Sequence, residues 1–146
     1  MKNPNTPIEL SEEKRNSIAS EIKDRLNDYI EAARRQDTEW FRDFWLKGND
    51  FAFSFDAEFI TDYDPWFTKY YAEALPNVKE ILHFKFGEGR VAVISDNAAS
   101  YSTTFDWSMV TTKNDTIQSK GSAIYVLVRQ DGKWKCVQSG GTHKYY

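Results

Sequence analysis

Cysteine is all but missing from this chain of 146 residues: Cys136 stands alone. No disulfide within the sequence can staple the fold, so apolar burial has to hold it together. Cys136 sits inside an apolar run, where a small buried residue is expected rather than a nucleophile, which needs a cationic and partly exposed setting. Long hydrophobic runs are missing too. No stretch approaches the roughly 18 apolar residues that span a bilayer, and Met1-Lys2-Asn3-Pro4-Asn5-Thr6-Pro7 has no signal-peptide core, so a soluble cytoplasmic protein with no membrane partner is expected. Neither sign of charge dominates: 19 basic and 22 acidic residues leave −3, and no basic block offers nucleic acid a footing. There is no Ser-His-Asp order and no dinucleotide fingerprint, since Gly87-Glu88-Gly89 lacks both a third glycine and a following helix; no cofactor is expected. The two histidines, His83 and His143, lie far apart without spaced carboxylates, so no metal site is expected. Asn114-Asp115-Thr116 has the form of a glycosylation sequon and reads most simply as a turn.

What the chain has in quantity is aromatic side chains: ten Phe, eight Tyr and five Trp make up 16% of it. Such residues suit either a dense core or the wall of an apolar pocket, and composition does not choose between them. The length fits a single domain over residues 1–146, with residues 1–8 as a flexible lead-in, and no repeat or linker divides it.

Thr6-Pro7-Ile8-Glu9 has the form of a capping box, and Ser11-Glu12-Glu13 offers a second start one turn later. Ile18, Ile22, Leu26, Tyr29, Ile30 and Ala33 then recur at three- and four-residue spacing, the stripe of a long amphipathic helix. Gln36-Asp37-Thr38 opens a second, short helix carrying Trp40, Phe41, Phe44 and Trp45. From Phe51 the pattern alternates, with Phe51, Phe53, Phe55, Ala57 and Phe59 on one face and Asp56 and Glu58 on the other, as one strand or a small hairpin. Asp64-Pro65 caps a third helix with Trp66 and Tyr70 on one side. A strand from about Lys79 kinks at Gly87-Glu88-Gly89 and continues to Ile94; the next places Tyr101, Phe105 and Trp107 opposite a face of Ser and Thr; Asp131-Gly132 closes a final hairpin.

Helix, short helix, strand pair, helix and meander in this order resemble the nuclear transport factor 2-like superfamily, and within it the SnoaL-like branch. Two segments carry the likeness: Ile94-Ser95-Asp96-Asn97-Ala98-Ala99, similar to the family's turn of small and acidic residues, and Asp131-Gly132-Lys133-Trp134-Lys135-Cys136-Val137, similar to its closing hairpin. The resemblance covers the chain from Glu9 onward. It implies a cystatin-like α+β cone, three N-terminal helices packed on a curved antiparallel sheet, often as a homodimer through the sheet, with a cavity that stays open or is filled by aromatics.

Members of this superfamily include ketosteroid isomerase, which sets a tyrosine in an oxyanion hole opposite an Asp base. The tyrosine carries over as Tyr29, eight residues before Asp37. The base position falls near Phe53 to Asp56, with Phe55 the direct match, and the second carboxylate falls near Ile124, so steroid isomerisation lacks its acidic groups here. The reading that results is a pocket for a small hydrophobic, cyclic ligand, lined by Tyr29, Trp66, Tyr70, Trp107, Tyr125 and Gln138. Gln138 enters because it shares strand phase with Trp134 and Cys136, where a polar group needs a partner or a ligand. One alternative is a cofactor-free isomerase, cyclase or dehydratase with Asp56 or His83 as base and Tyr29 as donor. The other is a non-catalytic dimerisation module whose cone is filled by its own aromatics.

Overall fold

The computed structural model describes residues 10–146. The first capping box and the lead-in expected over residues 1–8 lie outside them. The second start is observed: helix α1 spans Glu12–Arg34, and the Ser11 hydroxyl accepts the Lys14 N–H at 3.1 Å. Its stripe of Ile18, Ile22, Leu26 and Ile30 is buried, with Ala32 rather than Ala33 completing it. Gln36 turns the chain in the left-handed region at φ 56°, and Asp37 accepts the Trp40 N–H to open α2, Thr38–Phe44.

The alternating run from Phe51 is a hairpin. Strand β1, Ala52–Phe55, pairs with β2, Glu58–Ile60, around Asp56 and Ala57, which take φ of 50° and 68°. This corrects the single-face reading. The reversal sets Glu58 across from Phe55, moves Asp56 out of the strand into the turn, and leaves Phe59 73% exposed. Helix α3, Tyr63–Phe67, also begins earlier than Asp64-Pro65. Asp62 holds the N-cap position without a side-chain bond, and Asp64, in the first turn, pairs with Lys47 at 2.7 Å instead. The helix then widens into a π-turn over Thr68–Glu73 and ends in a 3-10 turn, Leu75–Asn77, that contains Pro76.

Strands β3, Val78–Phe86, and β4, Arg90–Ser95, lie end to end along one edge of β5, Ala98–Thr111, with the expected kink at Gly87, whose N–H still donates to Thr104 O at 2.8 Å. Strands β6, Thr116–Gln130, and β7, Lys133–Tyr145, follow, joined at Asp131 and Gly132, both at positive φ as the hairpin signal requires. The sheet order is β2-β1-β7-β6-β5-β3. One pairing departs from an antiparallel sheet: β1 runs parallel to β7, because the chain joins that edge from the helical layer, beginning with the Leu46 N–H on Cys136 O.

The β6–β7 register slips by one residue. Leu127 faces Cys136 but Val126 faces Gln138, so Val137 is extra. Such a bulge bends its strand and reverses the inward and outward phase beyond it. Residues on the inner face of the sheet pack on α1 around Ile22, Leu26 and Leu127, each wholly buried. Toward β1 and α3 the two layers diverge.

Candidate active site

Where they diverge, aromatic side chains enclose a cavity of about 460 Å³. Tyr29 from α1, Trp45 after α2, and Trp66, Tyr70 and Tyr71 from α3 and its π-turn form the helical side; Phe84, Phe105, Trp107 and Tyr125 form the sheet side. Phe53 and Phe55 close it from β1, stacked on each other at 5.5 Å. The wider π-turn matters, since it lets the consecutive Tyr70 and Tyr71 both reach the cavity: Tyr71 packs on Phe41 at its deep end, and Tyr70 on Phe53 near the rim.

Three tyrosines meet at the deep end. The Trp45 indole N–H donates to the Tyr71 hydroxyl at 2.8 Å, and the Tyr29 phenol lies beside those of Tyr71 and Tyr125. Burial pushes all three phenols up, Tyr71 and Tyr125 well up, so the cluster stays neutral. Cys136 lies beside them, its thiol also pushed up by burial and its Sγ donating to Gln138 O at 3.2 Å. It is the inert core residue expected.

The rim is polar. In the β1–β2 turn, Asp56 Oδ1 accepts the backbone N–H of His143 at 2.9 Å, and Asp56 Oδ2 meets Nδ1 of the same ring. This clamp leaves Nε2 as the imidazole's available nitrogen. Glu58 accepts the Tyr70 hydroxyl at 3.1 Å, and burial followed by the Glu58 carboxylate pushes the Tyr70 phenol up. Gly141 makes the clamp possible. A Cβ there would stand 2.1 Å from Ser122 O and 3.0 Å from the Phe55 ring, so only glycine lets the hairpin close onto β7.

Of the residues expected at the site, Tyr29, Trp66, Tyr70, Trp107, Tyr125 and Asp56 come together around this cavity. Gln138 does not. The bulge at Val137 turns it to the other side, where its amide donates to Asp50 O at 3.1 Å, and Ser139 takes the inward place. His83 does not either. Phe84 takes the cavity position on β3, and His83 Nε2 lies 2.7 Å from Asp106 Oδ1, a carboxylate that also accepts the Tyr146 hydroxyl. His143, which the sequence presented only as one of two distant histidines, does line the cavity. Its signal, the inward sequence Ser139, Gly141, His143 and Tyr145, appears only once the bulge is known.

A family model for the SnoaL-like domain matches residues 22–142. The chain belongs to the SnoaL-like family. Solved structures similar to this SnoaL-like protein include a putative scytalone dehydratase from Novosphingobium aromaticivorans, 14% identical, covering 93% of this chain and 92% of that one, with a TM-score of 0.79. A hexachlorocyclohexane dehydrochlorinase, LinA-type3, from Novosphingobium barchaimii is 13% identical over 93% of each chain, with a TM-score of 0.72. A nuclear transport factor 2-like superfamily protein from Salmonella enterica is 14% identical over 87% of this chain and 91% of that one, at 0.75. At these identities the likeness shows the α+β cone alone. No curated protein matches the sequence. Among the described residues, no helix is long and apolar enough to cross a membrane.

Proposed function

We propose that this SnoaL-like protein binds a small, apolar, cyclic molecule in its aromatic cavity. The observation that carries this reading is the cavity itself: about 460 Å³ lies within the range that holds drug-sized ligands, and its walls are mostly ring faces with few polar groups. That volume supports a ligand site over a cone filled by its own side chains. In this reading the Tyr29 hydroxyl, one of the lining groups, donates to a carbonyl or hydroxyl oxygen of the ligand. A homodimer remains part of the reading, supported by the half-exposed Leu82, Ile94 and Ile124 on the sheet. Native mass spectrometry of protein purified from its own host, followed by extraction, tests the pocket. A stoichiometric small apolar compound is expected; an empty protein that also fails to take up any of a panel of cyclic ketones and phenols counts against it.

A second reading, cofactor-free proton transfer on such a ligand, is favoured by one observation: the Asp56–His143 pair lines the cavity that Tyr29 lines at its other end. His143 Nε2 would take or give a proton while Tyr29 stabilises developing charge on oxygen, an arrangement suited to isomerisation, cyclisation or dehydration. For any substrate found, His143→Ala should lower kcat by about 10²–10⁴-fold, the usual contribution of a general base. Turnover unchanged by both His143→Ala and Tyr29→Phe would remove this reading and leave the binding site intact.

A further inference from the structure

The cavity's lining carries two carboxylates and one imidazole. Asp56, Glu58 and His143 reach it, and no Lys or Arg does. Asp56 shares its charge with His143, but Glu58 has only the neutral Tyr70 hydroxyl as partner and enters no ion pair among the described residues. The Tyr70 phenol records the resulting field, pushed up by burial, then by Glu58 and by Asp56. The protein's own cations use other rings. Arg25 lies over Trp40 and Phe44, Arg42 over Phe67 and Arg129 over Trp134, and none of these rings lines the cavity. Lys69, over Tyr70 at 5.3 Å, is a cation on a lining ring. The indoles of Trp45, Trp66 and Trp107, the aromatic rings that attract a cation most strongly, carry none among the described residues.

An aromatic box with an unneutralised carboxylate at its rim and no basic group in its wall discriminates by charge. An anion entering it loses water and meets repulsion from Glu58 and Asp56. A neutral ring gains apolar burial alone. A cation gains the same burial, the negative ring faces and the attraction of the rim carboxylate, which salt can screen because Glu58 is exposed. We propose that the cavity selects a ring-bearing amine in its cationic form, with the ring among the aromatic walls and the ammonium group toward Glu58. This inference rests on reading the cavity as a ligand site and specifies its ligand class.

Three probes of matched size separate the possibilities: trimethylphenylammonium, its neutral isostere tert-butylbenzene, and benzoate. Binding is followed by tryptophan fluorescence, since three indoles line the wall, and by calorimetry where solubility allows. The cation should bind at least about tenfold more tightly than the isostere, weaken as salt is raised, and leave benzoate without measurable affinity. Glu58→Gln should narrow the ratio of cation to isostere several-fold, and Glu58→Lys should abolish or invert it, with circular dichroism confirming that both fold. An isostere that binds as tightly as the cation, or a ratio unmoved by both Glu58 variants, overturns the charge selection while leaving the pocket standing. If none of the three probes binds while a cyclic ketone or phenol does, this inference falls and the pocket reading stands; if nothing in either set binds, both fall.

Discussion

Tyr29 belongs both to the core and to the wall of the cavity. It lies on the core stripe of α1, with its phenol beside those of Tyr71 and Tyr125. Tyr29→Phe keeps the ring and removes one hydroxyl from this buried cluster, so it should cost about 1–3 kcal/mol. Urea unfolding checks this; an unchanged midpoint would mean that the hydroxyl has no partner in the folded protein. Tyr29 was legible because helical spacing is a local property and the family resemblance marked its position. His143 was not, since its partner Asp56 lies 87 positions away in the chain and only the folded sheet brings the two together.

At the scale of elements, sequence periodicity found α1, α2, the kinked β3–β4 edge and the closing hairpin, because each follows a pattern of three to four residues or of two that neighbours in the chain set up. It misjudged the elements that interrupt a pattern. The Phe51–Phe59 alternation ran straight through a turn at Asp56-Ala57, and the bulge at Val137 reversed the face of everything after it, which is why Gln138 was placed inward and Ser139 overlooked. The hairpin and β7 are coupled through Gly141. Gly141→Val would press into Ser122 O and the Phe55 ring, so it should destabilise the protein by about 1–3 kcal/mol, the usual cost of overpacking. It should also weaken ligand binding by separating Asp56 from His143. A variant with lowered stability and unchanged affinity for a probe such as trimethylphenylammonium would show that the clamp does not shape the cavity.

For the whole molecule, the buried tyrosine cluster makes stability depend on alkaline pH. The folded phenols of Tyr29, Tyr71 and Tyr125 sit above the ordinary value near 10 because burial disfavours the phenolate. Below pH 10 both folded and unfolded chains hold these protons and the stability is fully present. Above it the unfolded chain releases protons that the folded one keeps, so stability falls by about 1.4 kcal/mol per pH unit for each such tyrosine. Ultraviolet titration should show these phenolates appearing together with loss of tertiary circular dichroism; their ionisation in the folded state would mean the cluster is open to water.

The sequence by itself determined an α+β cone with one long helix and a closing meander, because burial of periodic apolar faces and turn chemistry act over a few neighbouring residues. It also determined the stock of aromatic side chains available to that cone. Only the tertiary structure decided that those rings leave a cavity of about 460 Å³ rather than fill it. It also decided that Asp56 and His143 meet at its rim while His83 and Gln138 face away. Cavity volume depends on how two curved layers diverge, and the facing of a strand residue depends on bulges set by its pairing partner, so neither is written in a local pattern.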